Sequence, residues 1–280
     1  CWGIWRGMQH VLVDNEEFRL QVIDLNDNPA LDEIRLLEVT GIDLSGSLFQ
    51  CDAGEIEETL RGLPELTGAK VRRQFPGTLQ VEVSVRPPQL WISCPSQGIL
   101  PRDRRTGLLV DRAGYAFRCP RGMYEEAKVL PVIELRESER EIEAGKFIKH
   151  ADYLRGLRLY SAAGDATEDA AQWIDTIRQY KSWASQLVTR DGMVATFGHE
   201  EIERQVNDFL SAVGHARERG DRIATIQLIG KRNQPVTFHD RPAPRAIPVD
   251  ESVEHAISPP VNQPEGAPSG DRDLRELLER

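Results

Sequence analysis

An α+β fold is what this sequence predicts. A capped amphipathic helix at Asp52–Leu63 leads with little slack into two alternating strands, and the second half again mixes helix-period and strand-period segments. The expected order is strand, helix, helix, strand, strand, followed by a mixed α/β domain built on an antiparallel sheet.

The first strand lies at Phe18–Leu25. Phe18, Leu20 and Val22 alternate, and then Ile23 and Leu25 change phase, which predicts a bulge or an exit from the sheet. A helix near Ala30–Val39 follows, with Leu31, Ile34 and Leu37 as its apolar stripe. Asp52 with Glu55 three residues on has the pattern of a capping box, in which the acid satisfies backbone N–H groups that the first turn leaves unpaired. Ile56, Leu60 and Leu63 then recur at helical spacing until Pro64 stops the helix. After Gly68, Ala69, Val71, Arg73 and Phe75 alternate with polar residues up to the turn at Pro76-Gly77. Leu79, Val81, Val83 and Val85 continue the pattern, so one sheet face is apolar and needs both helices to cover it.

Alternation resumes after Pro88 in the run LLVDRAGYAF. Ile142–Ser161 reads as a helix with Ala151, Leu154 and Leu157 on one side, and residues 174–180 read as a strand. Asp191-Gly192 separates SQLVT from MVATF, and Asp-Gly supplies the positive φ angles of a two-residue hairpin turn. Ile202, Val206, Phe209, Leu210 and Val213 then line one face of a helix, and strands at residues 223–229 and 236–239 close the pattern. Beyond His239, residues 240–270 hold seven prolines without apolar periodicity, the composition of a disordered linker. The last ten residues place Leu274, Leu277 and Leu278 on one side of a short helix, read as a frayed end ahead of a docking peptide.

The 280 residues suffice for two domains with cores of their own, and a net charge of −10 argues against nucleic acid as the main ligand. Arg102–Arg105 is the only dense basic cluster and reads as a solvated loop before it reads as an anion site. Cys94 and Cys119 bracket one β-rich segment and are expected on neighbouring strands, either bridged or as two separate buried thiols. No Cys or His group has zinc spacing. Asp24, Asn26 and Asn28 imitate the start of a calcium loop, but Pro29 stands where glycine is needed and Arg35 where glutamate is. His199-Glu200, read as the opening of a helix, has no second histidine to make a zinc-protease motif, and its acid suits the helix dipole. The sequence offers no catalytic, cofactor-binding or metal-binding candidate, so a binding protein is expected rather than an enzyme.

No apolar run reaches the ~18 residues of a membrane span. The chain begins at Cys1 without Met, and Trp2, Trp5 and Arg6 are residues typical of the point where a membrane helix emerges, so residues 1–17 read as a juxtamembrane segment. The rival reading makes Cys1 the lipid-bearing residue of a lipoprotein.

Leu48-Phe49, Asp52, Leu63-Pro64, Ala69-x-Val71-x-Arg73, Pro76-x-Thr78-Leu79-x-Val81-x-Val83 and Arg86-Pro87-Pro88 together resemble the POTRA domain of the bacterial division proteins FtsQ and DivIB. The resemblance extends more thinly through Leu109-Val110-Asp111, Gly114–Phe117, Leu130-Pro131 and Asp191-Gly192 to about His239. It implies a POTRA domain at residues 18–88, an FtsQ-like β domain at 89–239, and a single-pass inner-membrane protein with this chain on the periplasmic side. The implied partners are other divisome proteins, with FtsB and FtsL bound by the β domain. The alternative is the POTRA-bearing part of an outer-membrane transport or assembly system. That reading would need a C-terminal series of barrel strands where this chain has a proline-rich tail.

A final strand with no successor is a sheet edge open to strand addition, and FtsQ-like proteins bind FtsB in this way. The expected partner site is therefore Val236, Thr237 and Phe238, with Gln227, Leu228 and Ile229 beside them and the helix at 200–213 behind. The competing reading is a blunted edge, because Thr237 and His239 are polar and Pro235 lacks an N–H. Gln227-Leu228-Ile229-Gly230 also stands where the family usually carries Asp-Leu-Arg-Tyr.

Overall fold

The computed structural model describes residues 18–138 and 140–239, so the expectations for 1–17, 240–270 and 271–280 lie outside the described residues. The first five elements are β1 (Val22–Leu25), α1 (Glu33–Thr40), α2 (Ala53–Arg61), β2 (Leu66–Gln74) and β3 (Thr78–Val85). They form a three-stranded sheet in the order β1-β3-β2, with β1 parallel and β2 antiparallel to β3. Asp52 caps α2 by accepting from the backbone N–H groups of Gly54 and Glu55. A complete capping box lies one turn earlier, where Ser47 and Gln50 satisfy each other around the short 3₁₀ turn at Leu48–Gln50.

Two details depart from the sequence reading, and the expected phase change in β1 is present. The first helix begins at Glu33 because Asn28 Oδ1 accepts from Ala30 N and Leu31 N, holding those residues in a turn ahead of the Asp32 cap. That start buries Leu36 fully and leaves Ile34 70% exposed, so Ile34 does not belong to the stripe. Along β2 the apolar face ends at Val71: Arg73 Nε donates to Cys51 O, and Phe75 is 56% exposed against the rings of Phe18 and Phe49. At β1 the phase change is real, since the N–H groups of Gln21 and Val22 both donate to Gly77 O and so reset the pleat. Val22 is consequently exposed, whereas Leu20 is buried and Ile23 and Leu25 pack on the core.

The second sheet draws on β4 (Leu90–Ser93), β5 (Leu108–Val110), β6 (Ala116–Arg118), β7 (Val132–Glu134), β8 (Ile174–Lys181), β9 (Ala184–Thr189), β10 (Val194–Gly198), β11 (Ile223–Gln227) and β12 (Val236–Phe238). Its helices are α3 (Tyr124–Ala127), α4 (Ala151–Ala166), α5 (Ala170–Trp173) and α6 (Ile202–Glu218). Among the described residues the strand order is β12-β11-β10-β9-β8-β7-β4-β5-β6. The sheet is mixed rather than purely antiparallel, because β4–β7, β7–β8 and β10–β11 run parallel. Strand β4 is buried on both sides: Leu90 and Ile92 join the main core with α4 and α6, while Trp91 packs with Leu109, Phe117 and Met123 on the other side. That double burial explains the unbroken apolar run Leu-Trp-Ile. Asp191-Gly192 does join β9 to β10, but in a three-residue loop closed by Thr189 N donating to Met193 O, in which Gly192 takes the positive φ, +88°, and Asp191 does not.

The helix expected over Ile142–Ser161 starts only at Ala151 and runs to Ala166. Residues 145–148 serve the sheet instead, since Ala116 N donates to Lys146 O, Gly145 N to Ala116 O and Ile148 N to Gly114 O. The buried face of α4 is Tyr153, Gly156, Leu159 and Ala163, so Leu154 points to solvent. His199-Glu200 does not open α6. His199 follows β10, and Glu201 is the residue that precedes the helix, at φ +50°. Cys94 and Cys119 lie at the ends of β4 and β6 with β5 between them and belong to different cores, so they are separate buried thiols and not a bridge.

Arg86 ties the two sheets together. Its Nε donates to Pro64 O at 2.8 Å, its Nη2 donates to Leu66 O at 3.2 Å, and its Nη1 pairs with Asp111 Oδ2 at 2.5 Å. The guanidinium carbon also stands 4.2 Å from the centre of the Tyr115 ring.

Three variants test this architecture by urea denaturation. Leu60→Ala empties a fully buried position against β2 and should lower stability by about 3 kcal/mol, whereas Phe75→Ala at the surface should change it far less. Arg86→Ala leaves the mostly buried Asp111 carboxylate without its cation and should cost about 3 kcal/mol. A loss below 1 kcal/mol would show that the pair does not hold the seam.

Candidate functional site

Strand β12 forms one end of the larger sheet, and β6 forms the other. The two ends differ. The outer side of β6 is bonded by residues 145–148, with a further bridge between Tyr115 and Phe147. No strand lies outside β12 among the described residues.

The orientation of the β12 backbone follows from its bonds to β11. Gln227 N donates to Pro235 O at 3.0 Å, and His239 N donates to Arg222 O at 2.8 Å. In an antiparallel pair successive residues face alternately toward and away from the partner strand. Residues 235, 237 and 239 therefore face β11, and the N–H and C=O of Val236 face away. Thr237 is exposed, and its hydroxyl lies 2.7 Å from that of Thr225 and accepts from Thr225 N at 3.1 Å. The register slips between Ile223 and Thr225, a bulge that twists this end of the sheet.

Thr237, Gln227 and Ile229 are exposed beside this edge, Ile229 at 38%. Val236 and Phe238 are half-buried and pack their side chains on the main core. Leu228 stands apart from the other five expected site residues. Its side chain is fully buried, so it anchors the chain to the core and does not reach a partner.

The loop between β11 and β12 is pinned to α6 by contacts the sequence did not disclose. Lys231 pairs with Glu201 at 2.7 Å, and Gln234 Nε2 donates to Asp208 Oδ2 at 2.9 Å. Arg204 bridges Glu201 and Asp208 on the helix itself. These contacts hold the Glu201 carboxyl below its ordinary range, with the Lys231 hydrogen bond the largest cause. Side chains three and four apart on a helix face invite the Arg204 pairs from sequence alone, whereas the reach to Lys231 spans thirty residues.

Near the base of α6, His199 Nε2 lies 3.2 Å from Gln179 Nε2 and 3.3 Å from Ser185 Oγ. Burial and the nearby Arg155 charge lower its pKa, so the neutral imidazole accepts from the Gln179 amide. Ser185 and His199 have no carboxylate joined to them in this cluster, which is a buried polar network holding β8, β9 and β10 in register. Elsewhere, Asn26, part of the calcium-loop imitation, exchanges two hydrogen bonds with the backbone of Val83 and braces β3.

Residues 18–85 match the family model of the POTRA domain, FtsQ-type, over the same span as the first sheet and its two helices. No curated protein matches the chain. No helix among the described residues is long and apolar enough to cross a membrane.

The edge geometry sets an expected pattern of amide exchange. In hydrogen-exchange NMR the Gln227 amide, bonded to Pro235 O, should be protected, and the outward Val236 amide should exchange much faster. Equal protection at the two positions would mean that the edge is covered.

Proposed function

We propose that this chain, whose residues 18–85 match the FtsQ-type POTRA domain, is a bacterial division scaffold whose β domain binds FtsB/FtsL-like partners by strand addition at β12. It works by binding rather than catalysis. The POTRA domain lies toward the inner membrane and helps to place the protein at the septum. By the same reading it is a single-pass inner-membrane protein with this chain on the periplasmic side. The observation that carries this reading is the asymmetry of the large sheet: one end is closed by residues 145–148 and the other presents the outward backbone of Val236. An extended partner segment would bond to that backbone, with Thr237, Gln227 and Ile229 meeting its side chains and α6 supporting the edge from behind. Leu228 contributes by holding β11 in place, and Phe238 by fixing β12 to the core.

The POTRA sheet is less suited to the same role. Its outer strand β2 has the Val71 N–H occupied by Glu57 Oε2 of α2 at 3.0 Å, which blunts that edge.

The register also chooses the test. Thr237 faces β11, so a proline there would break the protein's own ladder, whereas Val236→Pro removes an outward donor. The Val236→Pro variant should keep its circular dichroism spectrum and lose at least tenfold in affinity for the periplasmic segment of the cognate FtsB-like protein. Wild-type affinity in a folded variant would place the docking site elsewhere.

A further inference from the structure

Six arginines line one recess of about 580 Å³: Arg35 from α1, Arg102, Arg104 and Arg105 from the loop before β5, Arg118 from β6, and Arg121 just beyond it. The whole chain carries a net charge of −10, so this concentration of cations runs against the protein's overall charge. Two of the six are neutralised, Arg35 by Glu65 and Arg102 by Asp175. The other four have no carboxylate partner among the described residues.

The one acid in the lining, Asp103, feels the Arg105 charge but forms no ion pair with any of the four. Asp103 spends its Oδ1 on its own turn, accepting from Thr106 N at 2.7 Å, Arg105 N at 2.9 Å and the Thr106 hydroxyl at 2.9 Å. The Thr106 backbone bond leads the causes that hold its carboxyl below the ordinary range. That turn places Arg104 and Arg105 side by side in the lining. Arg118 Nη1 donates to Arg105 O at 2.7 Å, fastening β6 to the same loop, and Arg104 lies 5.8 Å from the centre of the Tyr124 ring. Arg102 Nε is buried without an acceptor. Guanidinium groups gathered in one recess repel one another, and a bound anion with several oxygens converts that repulsion into paired, forked hydrogen bonds.

We propose that this recess is a binding site for a phosphate group, carried either by a soluble phosphate ester or by the headgroup of an anionic phospholipid. Its volume suits a small ligand rather than a stretch of protein chain. Arg35 comes from the POTRA domain and the other arginines from the β domain, so an anion held here would join the two. The recess binds and does not react. Burial pushes the thiol of Cys119 in its wall up to about 11 despite the nearby Arg104, which leaves it protonated.

The test uses the 280-residue chain and inorganic pyrophosphate in titration calorimetry at low and moderate salt. Binding should weaken as salt rises and fall at least tenfold in Arg104→Ala/Arg121→Ala. Arg72→Ala, outside the recess, should bind like the parent. Should the double variant melt early, Arg105→Gln gives the same reading, because the Arg105 side chain makes no hydrogen bond among the described residues. Sedimentation with phosphatidylglycerol vesicles, against phosphatidylcholine vesicles, separates the two sources. Vesicle binding that pyrophosphate displaces assigns the headgroup, and pyrophosphate binding without vesicle binding assigns a soluble ester. No pyrophosphate binding at ~10 mM, or binding that survives the arginine variants, overturns the proposal. Tighter binding of tetraglutamate than of pyrophosphate also overturns it, in favour of an acidic protein segment.

Discussion

The ion pair between Arg86 and Asp111 is the constraint on which the rest of the structure depends. The two sheets share no strand, and little of the chain passes directly between them. Arg86 follows the last POTRA strand directly, and Asp111 follows β5, so one contact connects the end of the first fold to the first hairpin of the second. Each partner is also used locally. Arg86 satisfies the carbonyls of Pro64 and Leu66 where α2 gives way to β2, and Asp111 Oδ1 accepts from Ala113 N and Tyr115 N to shape the β5–β6 turn. Lysine could not replace this arginine, because the contacts need a planar fork with donors in several directions. Val85, packed against both neighbouring cores, adds an apolar contact at the same place.

What the sequence disclosed was local chemistry. The Asp52 cap, the Asp191-Gly192 turn and the alternation of Leu79, Val81 and Val83 each involve residues close in the chain, so their physics is visible in a short window. Burial of Leu36 in place of Ile34, and of Tyr153 in place of Leu154, turns on where a helix starts. Those starts are set by side chains outside the apolar pattern: Asn28 and Asp32 in the first case, His150 in the second. The assignment of residues 145–148 to the edge of β6 was hidden for another reason. It requires Lys146 to meet Ala116 across thirty residues, and no local propensity encodes that meeting.

The candidate edge was legible in the same partial way. That the last strand ends a sheet follows from its having no successor. Which of its backbone groups face outward does not, because a one-residue difference in register reverses the answer, and the bulge at Ile223 shifts that register. Leu228 looked like a member of the exposed segment only because Gln227 and Ile229 flank it; strand alternation sends it to the core. The arginine recess shows the opposite failure. Arg102–Arg105 stood out as a charge run, but its convergence with Arg35, Arg118 and Arg121 exists only after folding.

The covering of β6 by residues 145–148 has a consequence for stoichiometry. A sheet open at both ends can pass a strand-addition contact from molecule to molecule without limit, as in fibres. Among the described residues the larger sheet has a single open terminus. One extended segment laid along β12 completes the sheet for one copy of the chain, and a second copy meeting the first edge to edge would use up both termini at once. Under the strand-addition reading proposed above, assembly through this edge would stop at one partner per chain, so that complexes would be counted instead of accumulating as a polymer.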